Sequence, residues 1–124
     1  MNFRLRSRAR VDALSLQDNE QSLLDSYFTQ LLIDDELTLE RCKGRVFEGF
    51  SEPYINFPPT HKFILGTNDY VNDRIPSYTD RILFYAKDES RVRPVKYDCL
   101  WEEKSSDHKP VYGIFTLRVL EQRY

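Results

Sequence analysis

Cysteine pairs, long apolar runs and a surplus of charge of one sign are all missing from this sequence. The two cysteines, Cys42 and Cys99, stand far apart with no CxxC spacing. With no secretory-type apolar stretch ahead of them, they fit a reduced intracellular compartment better than a disulfide framework. Both are expected to be inert core thiols. The longest apolar runs, such as residues 82–86, fall far short of the roughly 20 residues that cross a bilayer. Lys plus Arg at 18 against Asp plus Glu at 20 leaves a net charge of -2, so no global field draws in nucleic acid or an anionic surface. Any anion site must be local. What is present is ordinary globular material: 40% hydrophobic and 14% aromatic residues over 124 positions. That excludes disorder and collagen-like repeats and allows one domain at most.

Residues 2–11 carry Arg4, Arg6, Arg8 and Arg10, a period of two that places the guanidinium groups on one side of an extended strand. The same spacing would scatter them around a helix, which argues against an amphipathic targeting presequence. In residues 17–33 the apolar positions Leu24, Tyr27, Phe28, Leu31 and Leu32 follow one helical stripe, with Asp18 as the expected N-cap. A second, shorter helix is expected over residues 35–43, capped by Asp34 or Asp35 and closed by Lys43 and Gly44. Rings, prolines and turn residues then replace helical texture. Strands are expected over residues 81–85, 94–100 and 111–120, the last alternating Val111, Gly113, Phe115, Leu117 and Val119 with more polar neighbours. Helices first and strands later imply a layered α/β (α+β) fold with the helical pair on one face of a sheet whose other face also needs cover.

Chemistry concentrates in three short segments, each crowding ionisable side chains beside turn formers. They are T-H-K-F at residues 60–63, R-I-P-S-Y-T-D-R-I-L at 74–83 and S-S-D-H-K-P-V at 105–111. In the third, Asp107 and His108 precede a proline and a strand, so both emerge at a strand mouth, where loops carry function. A carboxylate there can serve a metal shell or polarise water, and an imidazole can donate a proton to a phosphoryl oxygen. An isolated Asp-His pair is more often simply solvated or hydrogen-bonded.

The ordered combination is more specific. The second and third segments resemble the C-terminal signatures of the inositol polyphosphate 5-phosphatases, R-x-P-S-W/Y-x-D-R-I/V-L and S-D-H-K/R-P-V. F-E-G-F-S-E-P-Y-I-N-F-P-P-T-H-K-F at residues 47–63 resembles that family's F-x-G-F-x-E-x-x-I-x-F-x-P-T-Y-K-F, and N-F-R-L at residues 2–5 resembles the tail of its G-D-x-N-F/Y-R-I/L motif. The likeness runs over nearly the whole chain and is nearest the phosphoinositide-directed members. It implies that residues 1–124 are the C-terminal portion of a DNase I-like four-layer α/β sandwich. It also implies a Mg²⁺-dependent enzyme removing the 5-phosphate from phosphoinositides or soluble inositol polyphosphates. His108 would contact the scissile phosphate, Asp80 would hold the other imidazole nitrogen, Asp107 would lie at the Mg²⁺ site, and Asn2 would meet the phosphoryl oxygens. Lys62, His61, Arg74 and Arg81 would serve the head group. The competing reading makes Arg81 a structural ion pair at a strand base and Lys62 a solvated loop charge.

The sequence departs from that pattern in places. The aspartate of G-D-x-N, which would activate water, would stand just before Met1, and the family's Mg²⁺-binding glutamate has no counterpart. One carboxylate from Asp107 is a poor Mg²⁺ site, since the ion wants several oxygens. The expectation is therefore an incomplete catalytic domain that lacks its N-terminal part and turns over no substrate alone. His61 replaces a tyrosine, trading a phenol for an imidazole that is cationic below about pH 6.5. Asn72 stands where a lysine is expected, with Arg74 near enough in sequence to compensate. The expected setting is cytoplasmic, with peripheral membrane contact open to it and no nucleic-acid partner. A nuclease-type phosphodiesterase of the same superfamily and a non-catalytic truncated product are the alternatives; the first would be expected to carry a basic groove.

Overall fold

The computed structural model describes residues 21–119. Helix α1, Gln21–Leu32, follows the apolar stripe: Phe28 and Leu31 are buried, whereas Ile33 just beyond it is exposed. The expected Asp18 cap lies outside the described residues. Helix α2, Glu36–Cys42, lies within the expected residues 35–43, with Asp35 as N-cap accepting from the Thr38 amide at 2.9 Å. Its chain exit passes through Gly44 at φ 69°, the left-handed position where a Cβ is disfavoured.

The sheet is an antiparallel hairpin of β1, Val92–Cys99, and β2, Val111–Leu117, with Tyr97 opposite Gly113. The register shifts between Pro94 and Lys96. Proline cannot donate to a ladder, so a bulge beside it is the ordinary accommodation. The third expected strand, residues 81–85, does not form one among the described residues. The Ile82 amide donates to the Tyr97 hydroxyl at 2.9 Å, and only Phe84 makes a bridge, to Ser51. A side chain has taken the donor that a neighbouring strand would have used.

The core joins Phe28 and Leu31 of α1 to Ile55, Phe57, Tyr78 and Tyr97, so α1 meets β1 at Tyr97 through an aromatic layer, whereas α2 contributes no residue to this cluster. Phe57 is the hub, meeting Tyr78 and Tyr97 edge-on at 6.0 and 5.1 Å. The Tyr78 hydroxyl donates to the Phe57 carbonyl at 2.7 Å, which satisfies a fully buried phenol. Val95, Ile114 and Leu117 of the hairpin are exposed. Cys42 is exposed too, which corrects the expectation of two core thiols: it is the last residue of a helix whose buried contact is Leu37. Cys99 is half-buried, and burial, then the Asp98 charge, push its thiol up to about 11. No helix among the described residues is long and apolar enough to cross a membrane.

Candidate functional site

The three segments singled out from sequence meet in space, and backbone hydrogen bonds join them. Thr60 donates to the Ser77 carbonyl at 3.1 Å and Ser77 donates back to the His61 carbonyl at 2.8 Å. On the other flank Lys109 donates to the Thr60 carbonyl at 2.8 Å, and Phe63 to the Asp107 carbonyl at 2.9 Å. The prolines explain the local geometry. Pro58-Pro59 hold the approach to Thr60 extended, and Pro76 and Pro110 fix the backbone beside Ser77 and Lys109 without needing a donor of their own.

A hidden cation anchors the loop carrying Asp107 and His108. Lys109 is fully buried; its Nζ donates to Asn68 Oδ1 at 2.6 Å and to the Glu103 carbonyl at 2.8 Å. It also lies 4.8 Å from the Phe63 ring centroid and 5.5 Å from that of Trp101. Burial, then the Lys104 charge, pull its ammonium below the usual lysine range. Its role is to hold the loop, with its donors spent on protein acceptors.

The segments bring His61, Asp80, Asp107 and His108 into one cluster. His108 Nδ1 lies 2.8 Å from Asp80 Oδ2 and 3.1 Å from Oδ1. A carboxylate only accepts, so Nδ1 carries the proton and Nε2 is left on the Asp107 side. Thr60 Oγ1 and Thr79 Oγ1 each donate to Asp80 Oδ2 at 2.9 Å, and the His108 amide donates to Ser106 Oγ at 3.1 Å. These hydroxyls fix the pair, and the sequence reading missed them. Their signal was position alone: each threonine sits inside a segment already singled out, Thr79 directly before Asp80.

Asp107 lies across the open side, with Oδ1 4.0 Å from His108 Nε2 and Oδ2 3.8 Å from His61 Nε2. The two imidazole rings stack at 4.0 Å, 26° from parallel. Burial, then the His108 charge, lowers the His61 pKa, against smaller opposing effects of Asp107 and Asp80. That corrects the threshold read from sequence: His61 becomes cationic only at pH below the ordinary histidine value. Lys62 is half-buried and its charge reaches His61 in the same sense. Arg74 is exposed on the loop of residues 71–75, and Asn2 lies outside the described residues.

Arg81 is a correction. Its side chain is only 4% exposed, and its donors are taken by the protein itself. Nε and Nη2 form a fork on Glu52 at 2.6 and 2.7 Å, and Nη1 reaches Asp35 Oδ2 at 2.6 Å. Burial disfavours its charge, but the hydrogen bonds to Glu52 and the Asp35 carboxylate more than offset this and raise its pKa. Buried and saturated, it cannot grip a head group; it ties α2 and the residue 52 loop to the strand mouth.

His61, Asp107 and His108 offer one ligand atom each, all within 4.8 Å of one another. Two imidazole nitrogens and one carboxylate oxygen do not fit Mg²⁺, which demands near-octahedral oxygen.

The family model described as endonuclease/exonuclease/phosphatase family 2 matches residues 1–114. Phosphatidylinositol polyphosphate 5-phosphatase type IV of Rattus norvegicus is 42% identical over 122 residues, covering 95% of this chain and 18% of that protein. The type IV inositol polyphosphate 5-phosphatase 11 of Arabidopsis thaliana is 36% identical over 104 residues, covering 79% of this chain and 31% of that one. The chain thus spans less than a third of either relative's length. Among solved structures, it is similar to the inositol polyphosphate 5-phosphatase domain of SpSynaptojanin, in complex with inositol (1,4)-bisphosphate and calcium ion. That match has a TM-score of 0.72 and 31% identity, and covers 93% of this chain and 33% of that one. Cimex nitrophorin matches with a TM-score of 0.79 at 27% identity, covering 94% of this chain and 39% of that one. The fold is DNase I-like, and the chain belongs to endonuclease/exonuclease/phosphatase family 2, within which it is similar to the inositol polyphosphate 5-phosphatases.

Proposed function

We propose that this chain provides the phosphate-facing part of a 5-phosphatase site, acting on a phosphoinositide or a soluble inositol polyphosphate. The observation that carries the reading is the His108–Asp80 pair at 2.8 Å, buttressed by Thr60 and Thr79 and opening through Nε2. A protonated His108 donates from Nε2 to an oxygen of the scissile phosphate. Asp80 holds the ring in that orientation and stabilises the imidazolium. Water attacks phosphorus in line, the bond to the ring oxygen breaks, and the proton from Nε2 neutralises charge on the departing side. Lys62 and Arg74 supply cations for neighbouring ring phosphates, and His61 offers an imidazole stacked on His108.

Mg²⁺ dependence belongs to this reading only with oxygen ligands in addition to Asp107, since the described cluster does not make a Mg²⁺ site. Turnover accordingly requires a longer form, extended upstream to include a water-activating acid and further carboxylates. A lipid head group is presented at a bilayer surface, so the reading carries a cytoplasmic setting with peripheral membrane contact. The test is phosphate release from a phosphatidylinositol bisphosphate with Mg²⁺, by the 124-residue chain and by the upstream-extended form. Activity is expected in the extended form alone, and strong turnover by the short chain would refute the need for added ligands. In the form that turns over, His108→Ala should abolish activity. A loss of less than tenfold, about 1.4 kcal/mol, would remove His108 from the mechanism.

A further inference from the structure

The cluster that fails as a Mg²⁺ site has the donors of a different ion. We propose that His61, Asp107 and His108 together bind one zinc-class transition-metal ion. Two imidazoles and a carboxylate are borderline donors of the kind Zn²⁺ takes, with a fourth position left open. Each residue offers one ligand atom, and the three lie within 4.8 Å of one another. Zinc at about 2.0–2.2 Å from each donor needs those atoms somewhat closer, roughly 3.3 Å apart in a tetrahedron. The required contraction is up to about 1.5 Å, with a rotation of the imidazoles out of their stack, both supplied by side-chain torsions.

Three features pre-arrange the site. Both Nε2 atoms lie near the Asp107 carboxylate, at 3.8 and 4.0 Å, although the stacked rings must swing apart for their in-plane lone pairs to converge on one ion. The backbones of His61 and His108 are bridged directly, so the two ligands sit on joined segments. The remaining nitrogen of His108 is held by Asp80, which in turn accepts from two threonine hydroxyls. A carboxylate on the far imidazole nitrogen is the outer support that fixes tautomer and orientation for a metal-bound histidine. All three side chains are partly exposed, at 16%, 41% and 31% for His61, Asp107 and His108, so the ion has an entry path and an open face. The site stands without the phosphatase reading; one consequence depends on it. An ion on His108 Nε2 removes the proton that nitrogen would donate, so Zn²⁺ should oppose phosphate release.

The sequence contains two histidines in all, so the imidazole nitrogen resonances of the unmodified chain report on this site directly. Zn²⁺ titration should move the Nε2 signals of both rings together, saturating at one equivalent, while Mg²⁺ at equal concentration moves neither. His61→Tyr should weaken Zn²⁺ binding at least tenfold against a chromophoric chelator. If neither ring responds, if only one does, or if binding survives His61→Tyr unchanged, the site is refuted. Binding lost on Cys42→Ser instead would place the ion on that exposed thiol and equally refute it. None of these readouts requires turnover, so their failure is distinguishable from failure of the phosphatase reading.

Discussion

Arg81→Met replaces a guanidinium by an apolar side chain of similar length inside a closed ion cluster. Asp35 is fully buried, the Glu52 side chain is 8% exposed, and Arg81 is their shared cation. In the variant Asp35 keeps its two bonds from Thr38, but its Oδ1 already has no partner and Oδ2 loses its charge-assisted bond. Glu52 keeps the Tyr97 hydroxyl and a long ion pair to Arg41 at 3.7 Å. Removing one partner of a buried ion pair costs about 3–5 kcal/mol, because the charge left behind stays desolvated. Against a typical domain stability of about 5–15 kcal/mol, that is a large share of the whole. Urea unfolding followed by fluorescence of Trp101, the single tryptophan, measures it. Arg81→Met combined with Glu52→Gln should cost less than Arg81→Met alone, since the glutamine still accepts from Tyr97 without leaving a bare charge. A loss below about 1 kcal/mol for Arg81→Met, the range of screened surface pairs, would refute the cluster as a structural element and reopen a ligand role.

Asp80→Asn, in the form that turns over, keeps the volume but loses the charge that orients His108; kcat should fall about 10²–10⁴-fold with KM little changed, and a loss under tenfold would count against the pair. At pH 8 an alkylating reagent should label exposed Cys42 first, with Cys99 at least about 100-fold slower, because its thiol is pushed up to about 11. Equal rates would show that the burial around Cys99 is wrong. Gly113→Ala brings a Cβ to 2.8 Å from the Phe115 ring and 3.2 Å from Ile82 Cδ1. The expected cost is about 1–3 kcal/mol of overpacking in urea unfolding, and a neutral or stabilising result would show that Phe115 is free to move aside.

Local rules carried some of the fold. The second helix was legible because Asp35, Lys43 and Gly44 are end signals that act through their own backbone. The two strands of the hairpin were legible over residues 94–99 and 111–117, but the expected alternation ends early, with Leu117 and Val119 exposed. Residues 81–85 carried the same strand texture and form no strand, because the partner that claims the Ile82 amide is a phenol from Tyr97, remote in sequence. Propensity reads a residue's preference, whereas pairing depends on what arrives beside it. The same limit applied at the site. His61, Asp80, Asp107 and His108 converge where the segments suggested, but the hydroxyls supporting Asp80 and the carboxylates closing on Arg81 were visible only once the segments were folded together.

A motif by itself does not say which of its cations meet a ligand. Lys62, Arg74, Arg81 and Lys109 all sit in or beside the segments singled out from sequence, and the same charge does two kinds of work. Lys109 and Arg81 are buried with their donors committed to protein acceptors, so each is a tie between loops. Lys62 is half-buried beside His61 and Arg74 is exposed. The division follows from desolvation: a buried cation is tolerable only when its partners are already in place, and those partners leave no room for a phosphate. On the proposed reading, recognition of a ring phosphate falls to the cations that are not buried, Lys62 and Arg74. On that reading the buried cations tie together the loops that carry Asp80 and His108, and Lys62 and Arg74 are where a change of ring-phosphate preference should be engineered first.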